Sequence, residues 1–301
     1  MQCATKEGLE VHFSIVTNLT LMSNEIAADI KRRGNVNLCS SLDGPAEIHN
    51  RHRTFPNGQG THSQVIRWAG ILNREHDINV PFIPTFTAAG IGHETELVDH
   101  YLAQGHTSFS FRPVLQAGRA HDCGFDMGLQ PEQYVESWKR LLEYILGKNK
   151  QGHAFRESQT AHILGNILDP THRYMCLGRP CGVGASQITI GHDGSVHGCD
   201  AGKGTPMLTM GNILTDSYDD IYASRLAMSF RSISSETLPM CRTCAFNAYC
   251  GYCVARAINE HGTPVAHIPS DFEHKIYAEM IPHLFRKLLN REDAAILCSW
   301  V

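Results

Sequence analysis

Near its C-terminal end the chain places four cysteines within thirteen residues, CRTCAFNAYCGYC, as Cys241-x2-Cys244-x5-Cys250-x2-Cys253. Two CxxC pairs bring thiols within a turn of each other, which is how a chain wraps a tetrahedral metal ion or an iron–sulfur cluster. A zinc knuckle is the plainest reading. Zinc ribbons, however, use a longer connection than five residues to fold two such pairs around one ion. Five residues suit an arrangement in which the four thiols do not all serve one metal. Unrelated structural cysteines are a third reading.

The remaining cysteines are unevenly placed. Cys3, Cys39 and Cys123 are scattered, whereas Cys176, Cys181, Cys199, Cys241, Cys244, Cys250, Cys253 and Cys298 all lie in the C-terminal half. Eight thiols is the number that two four-thiolate sites would use. A net charge of −4 gives no basic footprint for nucleic acid. No run of about 18 apolar residues marks a membrane span. The start, MQCATKEGLEVHF, lacks the basic-then-apolar layout of a signal peptide. These features predict a cytoplasmic protein without membrane or nucleic-acid partners. Thiols in that compartment are kept reduced, so a metal is a better employer for them than disulfides.

The first half alternates strands and helices. EVHFSIVTN (10–18) and VNLCSSL (36–42) are predicted strands, separated by a helix in SNEIAADIKRRG that Gly34 ends. A helix over 63–76, a strand in 78–87, a helix over 94–105 and a strand in 107–114 follow. Strands separated by helices imply parallel βαβ units. Four parallel strands alone leave long apolar edges, so either a partner covers them or a larger domain continues upstream. A glycine-rich connection occupies 115–130, and a helix begins at Pro131 with Val135, Trp138, Leu141, Leu142 and Ile145 on one face. SQITIGHDGSVHGCD has the alternation and turn residues of a hairpin, and FEHKIYAEMIPHLFRKLL is an amphipathic helix. His49 and His52 are expected to flank a turn. No histidine motif, internal repeat or phosphate-binding loop emerges.

Upstream of the quartet runs Cys176-x4-Cys181-x12-Gly194-x4-Cys199, a hairpin carrying thiols before its first strand and after its second. The pattern C-x9–15-G-x4-C, a gap, then C-x2-C-x5-C resembles the SPASM domain, the two-cluster extension of radical S-adenosylmethionine (SAM) enzymes that modify peptides and proteins. SIVTNLTLMSNEIAADI is similar to the third strand and helix of a radical SAM barrel. SSLDGPAEIHNRHR is similar to the fourth strand and its exit in the anaerobic sulfatase-maturase group. The peptide maturase of His-Xaa-Ser repeat systems is another relative that the sequence suggests.

The resemblance covers residues from about 10 to 290. It implies an α/β fold, the C-terminal part of a partial (β/α)6 barrel with its third to sixth strands over 1–125, a helical linker over 126–170, and a SPASM domain over 171–301. It implies two auxiliary [4Fe–4S] clusters, the first held by Cys176, Cys181, Cys199 and Cys253, the second by Cys241, Cys244 and Cys250. Cys298 is the expected fourth ligand of the second, although the family places that ligand nearer, where this chain has HIPSDFEH, so that the alternatives are His267, Asp271 or an open site on the cluster. Asp200 matches the general base of sulfatase maturases, and a carboxylate there can take a proton from substrate as an electron leaves. The alternative is that Asp200 merely caps the hairpin exit. Ser41 and Arg53, with Asn18 beside them, match positions that contact SAM. The alternative for each is an ordinary strand-end or surface residue.

Two departures stand out. The C-x3-C-x2-C that holds the SAM cluster and the GGEP segment that grips SAM are absent from these 301 residues. The quartet also ends in CGYC, where the family more often spaces the last two cysteines by three. The expectation is a C-terminal part lacking about two βα units, inactive in SAM cleavage by itself. In the complete enzyme, SAM cleavage yields a radical that takes a hydrogen from a peptide or protein substrate, a reducing electron-transfer protein supplies electrons, and the auxiliary clusters orient the peptide or relay an electron. The other classes of reading are a non-catalytic iron–sulfur module that relays electrons or binds peptide, and a zinc-stabilised binding protein.

Overall fold

The computed structural model describes residues 7–8, 10–115, 117, 120, 128–172 and 174–301. Cys3, Cys123 and most of the glycine-rich connection lie outside the described residues. The chain divides into two compact units, one of Met1–Pro113 with Arg140–Ser158, the other of Val114–Lys139 with Gln159–Val301.

The first unit is built on parallel strands. Strand β1 (Phe13–Thr17) pairs with β2 (Val36–Ser41), with Phe13 opposite Val36 and Thr17 opposite Ser40. Their connection is helix α1 (Asn24–Arg33). The Ser23 side chain accepts the Ile26 N–H at its start, and Gly34 at φ 72° provides the left-handed residue that ends it. After α2 (Ala46–His52) and α3 (His62–His76), β3 (Phe82–Ile83) adds to β2 in parallel. The strand expected over 78–87 is split: Pro84, which has no N–H to give, separates β3 from β4 (Thr85–Phe86). The strand expected over 107–114 splits likewise, into β5 (Ser108–Phe109) and β6 (Arg112–Pro113), after helix α4 (Glu94–Ala103). β4 runs parallel to β6. Leu38, Leu42, Leu72, Val98 and Tyr101 form the core beneath these strands, and the Tyr101 hydroxyl donates to the Leu42 carbonyl at 2.6 Å. β1 is the outer strand of its sheet, and its Val16 is 70% exposed.

Helix α2 corrects the expectation that His49 and His52 flank a turn. Both lie in the helix, and His49 is fully buried. Its Nδ1 accepts the Asp43 N–H at 3.2 Å, which leaves Nε2 to donate to Thr61 Oγ1 at 3.1 Å. Seven residues directly after a DGP turn carry too little periodicity to announce a helix.

Helix α5 (Pro131–Lys150) contributes to both units, its first nine residues to the second. Strand β7 (Arg156–Glu157) returns to pair with β5. In the second unit, Trp138 is wholly buried and its Nε1–H donates to Thr160 Oγ1 at 2.9 Å on helix α6 (Ser158–Leu168). The expected hairpin is present as β8 (Thr189–Ile190) antiparallel to β9 (Ser195–His197). It turns at Gly194, whose φ of 81° suits glycine. A third strand that periodicity did not reveal, β10 (Thr209–Asn212), completes the sheet on the far side of β9. Short helices α7 (Tyr218–Tyr222), α8 (Arg225–Ser232) and α9 (Pro239–Arg242) lead to the cysteine quartet. Then come α10 (Val254–His261), α11 (Phe272–Leu288) and α12 (Arg291–Cys298). Val183, Val196, Leu208, Phe230 and Val254 pack into one core that includes the Cys181 and Cys199 side chains. Among the described residues no helix is long and apolar enough to cross a membrane.

Candidate metal centre

Each cysteine loop is fixed by hydrogen bonds that leave its sulfur available. In the quartet, the Cys244 N–H donates to the Cys241 carbonyl at 3.0 Å, and the Asn247 amide donates to that same carbonyl at 2.9 Å. Asn247 also accepts the Ser235 hydroxyl at 2.8 Å, so the knuckle is pinned to the residues before α9. Farther on, Cys253 caps α10 with its sulfur, which accepts the Arg256 N–H at 3.4 Å. The Phe246 N–H reaches Cys244 Sγ at 3.4 Å in the same way. Amide N–H groups aimed at sulfur favour its ionised form.

The upstream and downstream loops meet directly. The Asn166 side chain on α6 donates to the carbonyls of Leu177 and Tyr249, each at 3.4 Å, and so clasps one residue from each loop. At Gly251 a Cβ would stand 2.8 Å from Leu177 Cα and 3.0 Å from the Cys176 carbonyl oxygen. Only glycine lets these two backbones approach so closely. Behind the hairpin, Asn259 on α10 donates to the Ala201 carbonyl at 3.2 Å, tying the residues after Cys199 to the helix that Cys253 begins.

All nine described cysteines are thiols. Burial pushes Cys199 up to about 11, with the charges of Asp200 and Cys181 adding to it. Burial pushes Cys250 up to about 12, reinforced by Glu273 and then by Cys241 and Cys244. Cys253 lies well above its ordinary value through burial, Glu273 and the Cys181 thiol. Cys181 is raised by burial and by Cys176, and Cys241 by burial, Cys244 and Asp271. The thiols that act on one another therefore fall into two groups. Cys176, Cys181, Cys199 and Cys253 form one, and Cys241, Cys244 and Cys250 the other. Buried thiols that repel one another's charge are a donor set in want of a cation, and they fit a metal or cluster.

Their spacing bears on which. Among the described residues, the one set of three His, Cys, Asp or Glu side chains with ligand atoms all within 4.8 Å is Glu260, His261 and Asp271. No three cysteine sulfurs among the described residues lie that close together. Around a single zinc ion, sulfurs at bonds of about 2.3 Å would sit roughly 3.8 Å apart. A four-iron cube is a larger body and suits the wider cage.

The other sequence-predicted residues are placed as follows. Cys298 stands exposed at the end of α12, and the carboxylates whose charges reach Cys241 and Cys250 are Asp271 and Glu273. Asp271 is 4% exposed and caps α11, its Oδ1 accepting the His274 N–H at 2.8 Å. Asp200 is exposed and opens a 3-10 turn directly after buried Cys199. Ser41 ends β2, half-buried, opposite Ile83. Arg53 is held by Asp43, which takes both Nε–H and, at 3.1 Å, an Nη2–H, while Nη2 also reaches Thr85 Oγ1 at 3.3 Å. Asn18 is exposed, its Oδ1 accepting the Thr20 N–H and hydroxyl. Sequence reasoning passed over Asp43 and Asn166. Asp43 sits in the quoted SSLDGP stretch, whereas a lone asparagine mid-helix gave no signal at all.

Residues 181–245 match the SPASM family, described as an iron-sulfur cluster-binding domain. The computed fold is similar to that of native anSMEcpe with bound AdoMet and Kp18Cys peptide, at a TM-score of 0.78 and 19% identity, over 97% of this chain and 79% of that one. Residues 181–245 thus match an iron-sulfur cluster-binding SPASM domain, and the chain shares the fold of that structure. A cysteine-type anaerobic sulfatase-maturating enzyme of Clostridium novyi is 22% identical over 81% of this chain and 63% of its own length. An uncharacterized protein of Methanothermobacter thermautotrophicus is 31% identical over 46% of this chain and 48% of its own. The chain thus spans about half to two thirds of the length of these curated relatives. The SPASM match opens at Cys181 and includes Cys199, Cys241 and Cys244, taking in thiols of both groups.

Proposed function

We propose that the chain works in a radical SAM/SPASM maturase that modifies a peptide or protein, and that its SPASM domain holds two auxiliary [4Fe–4S] clusters. The observation that carries this reading is the division of the thiols. Cys253 acts on Cys181 across the chain, while its near neighbour Cys250 acts with Cys241 and Cys244. In this reading Cys176, Cys181, Cys199 and Cys253 hold one cluster and Cys241, Cys244 and Cys250 the other. Asp271, buried and acting on Cys241, is better placed than exposed Cys298 to complete the second set. Such clusters supply a place for an electron to go when a substrate radical is oxidised.

The chain's own residues supply position and proton handling. Asp200, exposed beside a buried ligand thiol, is the candidate base that takes a proton from the substrate. Arg53, its fork fixed by Asp43 and Thr85, presents a preset cation, and Ser41 with Asn18 adds hydroxyl and amide groups for SAM. The partners proposed are a peptide substrate, as the anSMEcpe structure holds, and a reducing electron-transfer protein; the compartment proposed is the cytoplasm. The division into barrel portion, helical linker and SPASM region at 125 and 170 belongs to the same proposal.

The test is anaerobic reconstitution followed by metal and sulfide analysis. About eight irons and eight sulfides per chain support two cubes. Zinc without sulfide sinks the proposal, and four irons reduce it to a single cluster. Cys298→Ser should leave the iron content unchanged, whereas Asp271→Ala should lower it or convert the second cluster's electron paramagnetic resonance (EPR) signal.

A further inference from the structure

The first unit gathers histidines from three of its helices at one place. His62 opens α3 and His100 lies in the last turn of α4, and their Nε2 atoms face each other at 3.2 Å. The ring centroids are 5.2 Å apart, with the planes tilted by 43°. Both residues are half-buried. His49 of α2 stands edge-on to His62 at 5.6 Å, but its two nitrogens are already engaged by the Asp43 N–H and Thr61. It acts as a strut, because Thr61 is the residue before α3 and the buried ring fixes where His62 begins that helix. Asn50, also on α2, accepts the His62 N–H at 3.1 Å.

Two neutral imidazoles that face nitrogen to nitrogen share one proton, and the same geometry suits a metal ion. Around a tetrahedral zinc, nitrogens at bonds of about 2.0–2.1 Å stand roughly 3.3 Å apart, close to the spacing of this pair. Ligation needs neutral rings. Burial lowers the pKa of both, with His62 adding to the effect at His100, and Glu47 opposes it at each. Glu47 sits one turn ahead of Asn50 on α2, and residues three apart share a helix face, so it projects on the side that meets His62. It is exposed and makes no hydrogen bond or ion pair among the described residues, so its carboxylate can turn toward the two nitrogens.

We propose that His62, His100 and Glu47 form a site for one zinc ion, which fastens α2, α3 and α4 to one another and keeps its fourth position for water. Two histidines and a glutamate are a known zinc donor set. As the ion enters, the ring that donates through Nε2 carries its hydrogen on Nδ1 instead, both Nε2 lone pairs turn to the metal, and the Glu47 carboxylate swings in. No proton is lost and no redox step is involved. The site draws on no cysteine and does not depend on the two-cluster reading.

The experiment equilibrates the full 301-residue chain, loaded anaerobically with iron and sulfide, against zinc, and then counts zinc and records its X-ray absorption edge. The wild type should keep one zinc with a nitrogen–oxygen shell at about 2.0–2.1 Å and no sulfur at about 2.3 Å. His62→Gln and His100→Gln should each lose it with an unchanged circular dichroism spectrum. Glu47→Gln, on the surface where folding is not at stake, should weaken zinc affinity about ten-fold or more in a calorimetric titration. His261→Gln, in the set of Glu260, His261 and Asp271, should change nothing. If thiols left without iron take zinc as well, sulfur joins the shell, and the nitrogen–oxygen component lost in the histidine variants still reports the site. The inference is overturned if the wild type holds no zinc in a nitrogen–oxygen shell, or if that zinc survives either histidine variant. It is equally overturned if Glu47→Gln binds as tightly as wild type, or if His261→Gln is the variant that loses the ion.

Discussion

The two units treat their buried polar groups in contrasting ways. In the parallel-strand unit they satisfy one another: buried Glu157 accepts the Phe111 N–H at 2.8 Å, His49 bridges the Asp43 amide and Thr61, and Tyr101 donates to Leu42. In the cysteine unit the buried donors are thiols whose ionisation is opposed first by burial and then by neighbouring charge. The first unit pairs these groups, with Ser40 Oγ and Trp68 Nε1 as buried exceptions, and the second gathers thiols that fit a cation. Stability in the one is a matter of packing and protonation; in the other, on the proposed reading, it is tied to the metal.

The largest effect should therefore come from stripping iron. Chelation of the reconstituted chain should raise hydrogen exchange across 176–253 by orders of magnitude while β2 and α4 keep their protection. Equal loss in both units would erase the contrast. Next comes Gly251→Val, which sets a branched side chain against the Leu177 backbone and should cost about 3 kcal/mol or abolish iron uptake, as measured by denaturation and iron content.

Asn166→Ala removes two hydrogen bonds that clasp the loops and should cost about 1–2 kcal/mol in the iron-loaded chain, read from the same unfolding curves. If the clasp serves the second unit alone, exchange rates of β2 stay unchanged. Acid should single out the first unit. Burial depresses His49 to about 4, below its unfolded value near 6.5. The neutral ring's contribution is therefore fully present above pH 6.5 and is lost as pH falls from 6.5 through 4. That loss is about 3 kcal/mol, visible as β2 and α3 exchange rising with acid. The smallest effect belongs to Cys298→Ser, exposed on α12, within about 0.5 kcal/mol of wild type.

What was legible in the sequence follows the same divide. Periodicity located α1, α3, α4, α5 and α11 because each is long enough to show an apolar face, and the thiol spacing located the hairpin. It could not see β10, which is four residues carrying a glycine and a register shift. Nor could it see that Pro84 breaks a strand of the right composition into two that pair with different partners. At the site, cysteine spacing picked out the candidate thiols, and the family resemblance suggested their division. The residues that act through charge or clasp, Asp43, Asn166 and Glu273, have no spacing rule. Their roles depend on which loops the fold brings together.

The proposed return of Cys253 to the upstream thiols has a consequence in time. During synthesis Cys199, the last of the three upstream thiols, leaves the ribosome 54 residues before Cys253 does. At roughly 5–20 residues per second, three thiols of one site wait about 3–10 seconds for their fourth. Cys241, Cys244 and Cys250 span ten residues and emerge together within about two seconds. A nascent chain thus has a local trap for metal ready at almost the moment the distant one can close. Oxidants or stray zinc meeting the chain in that interval would strike the first group before it can defend itself by folding.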